Sequence, residues 1–177
     1  MPFYYAWFRM LTGRPIAVVV DRAVVRITTQ LDEPGLRAEL KRRFGSEGEA
    51  APRHPLVTKA IQQLQEYFTG RRREFDLPLA PAGSDFQMRV WQALRQIPYG
   101  ETRSYGEVAR AIGWEKAARA VGAANGANPI AIVIPCHRVI QADGSLGGYG
   151  GGTELKRYLL ELERSVIAGR RPDPTER

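Results

Sequence analysis

A proline-rich stretch near the middle of the chain, FDLPLAPAG at residues 75–83, constrains the fold more than any other feature. Proline cannot donate a backbone hydrogen bond, so such a stretch interrupts helices and central strands. β-branched runs and amphipathic segments precede it, whereas the segments after it are mostly helical. The chain has 177 residues, enough for two small domains. We therefore predict an α/β domain over residues 1–82 and a mostly helical domain over residues 83–164.

The first domain carries the pattern of a small antiparallel sheet with helices. Ile16–Val20 and Val24–Thr28 are β-branched runs joined by a short turn, which predicts a hairpin. Pro34–Phe44 and Pro55–Phe68 repeat apolar residues at helical spacing, and a glycine lies just beyond each. Residues 75–83 are interpreted as a last strand that becomes a linker.

The second domain begins with segments that carry their own helix-start signals. Ser84 can cap a helix over Asp85–Gln96. Ser104 opens a capping box for a short helix that ends at a glycine, and a further helix is predicted over Glu115–Asn125. Two short helices joined by a glycine-containing turn outline a helix-turn-helix.

The outward side of the helix over 115–125, at about 100° per residue, carries Lys116, Arg119, Ala120 and Ala123. Small side chains allow a nucleic-acid backbone to come close, and the cations can contact phosphate or reach into the duplex. The net charge of +7 permits such a partner without demonstrating it. An alanine-rich helix with a solvated basic face is the alternative interpretation.

The sequence IAIVIPCHRVI at residues 130–140 holds the only cysteine of the chain and one of its two histidines. The five apolar residues before Pro135 predict a buried strand that presents Cys136 at its end. Adjacent side chains of an extended chain point to opposite faces, so we expect His137 to reach the thiol only through a water or a backbone bend. Arg138 either adds a cation near the thiol or points away, to solvent or to phosphate. Ordinary core packing of a lone cysteine is the alternative.

A carboxylate that orients His137 is expected in the last helix, Thr153–Glu163. Glu163 lies at the margin of the apolar side of that helix and is the best candidate, although a solvent-facing position also fits the pattern. Residues 144–152 contain six glycines, and together with Tyr149 they predict a pocket rim built largely of backbone.

The single cysteine excludes a disulfide framework and a thiolate zinc cluster. The N-terminal residues lack the apolar core and the cleavage site of a signal peptide. No apolar run approaches the roughly 18 residues of a membrane span. These features predict a soluble cytoplasmic protein without a membrane partner. The composition of residues 165–177 predicts a flexible tail.

A set of motifs at fixed spacing links these residues: IPCHRVI at 134–140, ARAVG at 118–122, NP at 128–129 and GGY at 147–149. The set resembles the O6-alkylguanine-DNA alkyltransferases, also called methylated-DNA-protein-cysteine methyltransferases. The resemblance runs over about 80 residues, from Gly83 to Glu163. It implies an RNase H-like first domain and a winged-helix-like second domain. It also implies that a monomer without metal or cofactor repairs O6-alkylguanine in double-stranded DNA, with O4-alkylthymine left open as a second substrate.

The resemblance assigns catalytic roles to five residues. Cys136 would accept the alkyl group irreversibly, so that each molecule reacts once. His137 would act as a water-mediated base oriented by Glu163, with Asn128 in the same network. Tyr105 would help to rotate the nucleotide out of the duplex and would assist proton transfer to the departing guanine.

The resemblance also implies two sets of contact residues. Arg119 would occupy the gap that the extruded nucleotide leaves in the duplex. The other DNA-contacting residues would be Ser104, Lys116, Ala120, Ala123 and Arg138. The substrate pocket would be lined by Tyr149, Val139, Gly150, Gly147 and Gly148.

The chain departs from the family pattern at two positions. Trp114 stands in the turn where family members often have a residue followed by proline, and Gly150 stands where some relatives carry serine.

Two other classes of function remain open. A helix-turn-helix regulator would explain residues 104–125 but leaves the cysteine, histidine and glutamate unused. A cysteine hydrolase would explain the thiol but not the basic helix.

Overall fold

The structure, a computed structural model, describes residues 2–170. It divides into two compact units, and the division falls between Ala80 and Pro81, within the proline-rich stretch. The first unit is a small sheet with two long helices, and the second is mostly helical. The predicted α/β fold class is therefore confirmed.

The first unit is built on a four-stranded sheet in the order β3-β2-β1-β4. Its strands are β1 (Tyr4–Arg9), β2 (Pro15–Val20), β3 (Val24–Thr28) and β4 (Glu49–Ala50). The predicted hairpin is confirmed as the antiparallel pair of β2 and β3. β1 extends the antiparallel arrangement, but β4 pairs parallel with β1, so the sheet is mixed at that edge. A two-residue strand has no sequence pattern of its own, and the sequence did not predict it.

The two helices of this unit are α1 (Glu33–Phe44) and α2 (Pro55–Phe68), close to their predicted bounds. The Asp32 side chain caps α1, and Leu36 and Leu40 of α1 join the sheet residues in one apolar core. The prediction of a last strand in residues 75–83 is wrong, because only Leu79 pairs, through an isolated bridge to Val24. Pro78 has no N–H with which to continue a ladder.

The helices of the second unit are α3 (Asp85–Leu94), α4 (Tyr105–Ala111), α5 (Ala118–Gly126) and α6 (Thr153–Ile167). Two short parallel strands, β5 (Arg103–Ser104) and β6 (Val139–Ile140), pair beside them. The predicted caps are confirmed, since Ser84 and Ser104 each accept a hydrogen bond from the third residue of their helix. Both are complete capping boxes, which explains why local sequence placed these helix starts correctly.

α5 begins three residues later than the sequence predicted. The backbone N–H of Ala117 donates to the carbonyl of Trp114 at 2.9 Å and closes a separate turn before the helix. Lys116 therefore lies in the turn between α4 and α5 and not on α5 itself. α4 and α5 pack against each other across this turn and form the predicted helix-turn-helix pair.

Residues 130–134 form a compact buried turn and not the predicted strand. The N–H of Ile134 donates to the carbonyl of Ile130 at 3.0 Å, and Ile132 adopts a left-handed backbone with φ of 72°. The Asn128 side chain holds both ends of the turn: its oxygen accepts from Ile130 N at 3.0 Å, and its Nδ2 donates to Ile134 O at 2.7 Å. The apolar run therefore predicted burial correctly, while the side chain of Asn128 decided the conformation.

α6 extends four residues beyond its predicted end at Glu163. Residues 165–167, predicted as part of a flexible tail, are helical, and the rest of the predicted tail from residue 171 lies outside the described residues. None of the helices described in residues 2–170 combines the length and apolar character needed to cross a bilayer.

Candidate active site

Cys136 lies at the start of a single 3₁₀ turn, Cys136–Arg138, directly after Pro135. Its side chain is buried, with 6% of the residue exposed. Asn125 of α5 donates to the carbonyl of Cys136 at 3.2 Å, so α5 fixes the backbone of the thiol-bearing residue. As predicted from the sequence, Pro135 ends the preceding apolar segment, but the residues after it form a 3₁₀ turn and are not extended.

The environment of the thiol acts on its pKa in opposite directions. Burial raises the pKa of Cys136, whereas a hydrogen bond from Asn128, the charge of Lys156 and a hydrogen bond from Tyr149 lower it. Burial prevails, and the pKa of the thiol lies above its ordinary value. A buried neutral thiol is a weak nucleophile, because the thiolate is the reactive form. The site therefore requires a base near Cys136.

His137 and Glu163 meet in the interior of the second unit, where both are fully buried. The distance between His137 Nε2 and Glu163 Oε1 is 2.9 Å. Consecutive residues of a 3₁₀ turn lie about 120° apart around its axis. The side chains of Cys136 and His137 therefore diverge because of helical geometry, whereas the sequence argument had assumed an extended chain.

Arg138 lies inside the protein, which makes the prediction that it contacts DNA wrong. Its Nε and Nη2 donate to the carboxylate of Glu163 at 3.0 and 2.7 Å, and its Nη1 donates to the carbonyl of Ile97 at 2.8 Å. Only 7% of Arg138 is exposed. The backbone N–H of Gly100 adds a contact to Glu163 at 3.2 Å. The carboxylate thus joins the 3₁₀ turn to the loop that follows α3.

The partners of Glu163 set the protonation of the pair. Burial alone would raise the pKa of Glu163, but His137 and the guanidinium of Arg138 lower it to about 2. Burial lowers the pKa of His137 against the opposing pull of Glu163, and the charge of Arg138 lowers it further. At neutral pH the carboxylate is ionised and the imidazole is neutral. Its Nε2–H donates to Glu163, which leaves Nδ1 as the basic nitrogen.

Lys156 is the site residue that the sequence reasoning missed. It is fully buried, and its Nζ donates to the carbonyls of Val139 at 2.6 Å, Leu146 and Gly148. The ammonium thus ties β6 to the glycine-rich segment of residues 144–152. Burial lowers the pKa of Lys156 to about 8, and Cys136 opposes that shift. A signal was available, because Lys156 precedes Leu159, Leu160 and Glu163 at helical spacing.

A cleft of about 580 Å³ opens between α5, the start of α4 and the glycine-rich segment. It is lined by Tyr105, Ala118, Arg119, Gly122, Asn125, Gly126, Gln141, Gly148, Tyr149 and Gly150. The cleft thus brings Tyr105, Arg119 and three of the predicted pocket residues together. Burial and the nearby Cys136 raise the pKa of Tyr105, so its hydroxyl keeps its proton at neutral pH.

The other two predicted pocket residues, Val139 and Gly147, do not line the cleft but lie next to residues of the site. Val139 is fully buried, and its carbonyl is held by Lys156. Gly147 has a φ of 71°, and a side chain there would meet the Tyr105 hydroxyl at 3.2 Å. Glycine at this position therefore allows the segment to approach Tyr105 closely.

The outward side of α5 is open to solvent at Arg119, Ala120 and Ala123. Lys116 is also exposed, in the turn before the helix, and Ser104 lies at the start of α4, where its hydroxyl accepts from Glu107 N at 3.1 Å. The opposite side of α5 is buried through Val121 and Asn125. The structure thus presents a basic surface of small side chains beside the mouth of the cleft. Among residues 2–170 no group of three or more His, Cys, Asp or Glu side chains is arranged to hold a metal ion.

Two family models match the chain along most of its length. The 6-O-methylguanine DNA methyltransferase DNA-binding domain matches residues 85–165, and the ribonuclease-like domain of the same proteins matches residues 25–81. A methylated-DNA-protein-cysteine methyltransferase of Mycobacterium tuberculosis is 65% identical over 106 residues, which are 60% of this chain and 64% of that protein. The matched segment thus spans slightly less than two thirds of this relative.

Solved structures resemble the chain over nearly all of its length. The crystal structure of Mycobacterium tuberculosis O6-methylguanine methyltransferase has 46% sequence identity and a TM-score of 0.79, and the match covers 92% of this chain and 93% of that one. A crystal structure of Mycobacterium tuberculosis OGT in complex with DNA has 45% identity and a TM-score of 0.79, with coverage of 92% and 94%. The similarity therefore includes both units of the chain.

Proposed function

The chain belongs to the 6-O-methylguanine DNA methyltransferase family, and we propose that it repairs DNA by moving the alkyl group of an O6-alkylguanine onto its own Cys136. One observation carries this proposal. A buried thiol lies next to Asn125 and Tyr149, which line the cleft, and the next residue is a neutral histidine held by an ionised glutamate. A helix with small and basic outward residues borders the same cleft. The complex of the related Mycobacterium tuberculosis protein with DNA supports DNA as the partner.

The first chemical step is activation of the thiol. Nδ1 of neutral His137 accepts the thiol proton through a bridging water, and the imidazolium that forms is stabilised by the carboxylate of Glu163. Asn128, Lys156 and Tyr149 all favour the thiolate form of Cys136. These three neighbours therefore lower the cost of an ionisation that burial opposes.

The second step is transfer of the alkyl group. The thiolate sulfur attacks the alkyl carbon, a C–S bond forms, and the bond between that carbon and O6 breaks. The electron pair of the broken bond stays on the guanine, which takes up a proton assisted by the Tyr105 hydroxyl. Overall the thiol proton ends on the guanine, and no oxidant, reductant or cofactor is consumed.

Reaching the thiol requires the damaged nucleotide to leave the base stack. Extrusion of a nucleotide costs a few kcal/mol. Arg119, exposed at the edge of the cleft, would occupy the gap in the duplex and offset part of that cost. Lys116 and Ser104 would contact the backbone, while Ala120 and Ala123 would let α5 approach it closely. The flipped base would lie against Tyr149, Gly148 and Gly150.

The product limits each molecule to one reaction. A thioether does not release its alkyl group under cellular conditions, so Cys136 is consumed and the protein is a stoichiometric acceptor. We place this reaction in the cytoplasm, carried out by a single chain on double-stranded DNA. O4-alkylthymine, which carries a similar alkyl ether, is a candidate second substrate.

Duplex DNA that carries labelled O6-methylguanine tests the proposal. We expect label to move onto Cys136, with at most one lesion repaired per protein molecule, and Cys136→Ser to abolish transfer while DNA binding is retained. A protein that binds the duplex without taking label would be a regulator. A protein that repairs many lesions, or takes label at another residue, would also contradict the proposed reaction.

A further inference from the structure

The turn between α4 and α5 displays a large aromatic side chain. Trp114 is 51% exposed, and it is the only aromatic among the exposed large hydrophobic side chains of residues 2–170. Its neighbours along the turn, Gly113, Glu115 and Lys116, are exposed as well. The proposed repair reaction does not use this indole, although the ring costs free energy while it stays in water.

The backbone of the turn holds Trp114 in one place. Gly113 ends α4 with a φ of 80°, and the N–H of Trp114 donates to the carbonyl of Ala109 at 2.9 Å. The carbonyl of Trp114 accepts from Ala117 at 2.9 Å, immediately before α5 begins. The residue is therefore tied to α4 on one side and to the start of α5 on the other.

The indole itself is supported by α3. Its ring packs on Phe86 with centroids 5.3 Å apart and planes tilted by 46°. A ring that is anchored on one side cannot fold back to cover its remaining surface. Its position is therefore preformed, and contact with a partner would require little ordering of the side chain.

The charges near the indole indicate which partner fits it. Lys116 follows in the same turn, and Arg119 lies in the first turn of α5; both are exposed, and they outnumber the one exposed carboxylate of the turn, Glu115. Aromatic rings beside cations are the combination with which proteins contact nucleic-acid strands, since the cations bind phosphate and the ring packs on sugar or base. The turn is also continuous with the face of α5 that the proposed function assigns to DNA.

We propose that Trp114 is a DNA-contacting residue, whose indole packs against the deoxyribose of the strand that α5 approaches while Lys116 binds the adjacent phosphate. This inference rests on the proposed function and extends its DNA interface to the turn before α5. It also gives a role to a residue at which this chain departs from the family pattern.

Tryptophan fluorescence tests the contact directly, with an unmodified duplex as the probe. The chain has three tryptophans, of which Trp91 is buried in the second unit and Trp7 belongs to β1 of the first unit. We expect duplex addition to change the emission of the wild type and of the matched control Trp7→Phe. The change should be lost in Trp114→Phe, and a change that persists in Trp114→Phe would overturn the proposal.

Affinity measurements provide the second readout. Trp114→Ala should weaken duplex binding about fivefold to tenfold, and Trp114→Phe should weaken it less. The salt dependence should stay unchanged in both, because the indole carries no charge, whereas Lys116→Ala should reduce the salt slope by about one. Far-UV circular dichroism checks that each variant is folded. Wild-type affinity in Trp114→Ala would also refute the contact.

Two further outcomes separate the possible failures. If Trp114→Ala abolishes self-association of the free protein while its duplex affinity is retained, the indole serves a protein interface and the proposal is wrong. If the emission change depends on Trp114 but wild-type protein takes no label from O6-methylguanine DNA, the DNA contact stands and the repair reaction fails.

Discussion

The buried surroundings of Cys136, here called the thiol pocket, and the outward side of α5 both contain arginine and lysine, but the cations have different roles in the two places. In the pocket, Arg138 and Lys156 are buried and every partner described for them is a protein oxygen or ring. On α5, Arg119 is exposed to solvent, and the adjoining turn exposes Lys116. Buried cations position other groups, whereas exposed cations are available to a ligand. Burial therefore decides what a cation does here, and neighbouring residues in the sequence can have opposite roles.

The largest effect is expected from removing the buried anion. Glu163→Gln leaves the guanidinium of Arg138 buried without its carboxylate, which should lower the free energy of unfolding by about 3 to 5 kcal/mol. Alkyl transfer should fall steeply as well, because His137 loses the group that stabilises its charged form. Urea unfolding and single-turnover label transfer measure the two losses. Glu161→Gln, an exposed position on the same helix, is the matched control and should change little.

Acid should remove part of the same stabilisation. The pKa of Glu163 is lowered in the folded protein from 4.5 to about 2, so its contribution is fully present above pH 4.5 and is lost as pH falls towards 2. A shift of this size corresponds to about 3 kcal/mol. Unfolding measured between pH 2 and 6 should show this loss in the wild type. If the stability of Glu163→Gln falls as steeply over this range, other carboxylates are responsible.

Substitution of the buried Lys156 tests whether this cation supports the site through the glycine-rich segment and the thiol, without contacting a ligand. Lys156→Met leaves the carbonyls of Val139, Leu146 and Gly148 without their donor, which should cost about 1 to 3 kcal/mol of stability. The pKa of Cys136 should rise further, because the charge of Lys156 lowers it in the wild type. The pH dependence of thiol alkylation by iodoacetamide reports this shift. The exposed variant Arg157→Met should leave that pH profile unchanged.

The smallest expected effect concerns the exposed cation of α5. Arg119→Ala should slow repair of duplex DNA about tenfold relative to reaction with free O6-benzylguanine, since only the duplex requires a nucleotide to be extruded. Protein stability should be close to wild type. Arg110→Ala, an exposed arginine on α4, is the comparison variant. Equal losses on duplex and free base in Arg119→Ala would show that Arg119 does not fill the gap.

Sequence reasoning succeeded where the determinants are local. The hairpin of β2 and β3, the helix cap at Ser84 and the capping box at Ser104 depend on residues a few positions apart, and all of them were predicted correctly. It failed where the partner lies far along the chain. β1 and β4 pair Tyr4 with Glu49, which lie 45 positions apart in the sequence, and the two-residue β4 has no local pattern.

The candidate site was also predicted only in part from the sequence. Cys136, His137 and Glu163 were selected from the sequence, because a lone thiol beside a histidine requires a carboxylate and one lay on the last helix. The conformation of residues 130–134 was not predicted although its determinant is local, because the apolar run indicated a strand and gave no sign that the nearby side chain of Asn128 would hold both ends of a turn. Arg138 and Lys156 were assigned to the surface or overlooked because both residue types are usually exposed.

By itself, the sequence determined which residues can react, which segments become capped helices and where the composition changes between the two units. Only the tertiary structure decided which charged side chains are buried and which are exposed. Arg138 and Lys156 are stable inside the protein because carboxylate and carbonyl oxygens from distant segments surround them, and Arg119 remains outside because α5 buries its other side. Taking a charge out of water is possible only where such partners converge, and their convergence is a property of the fold.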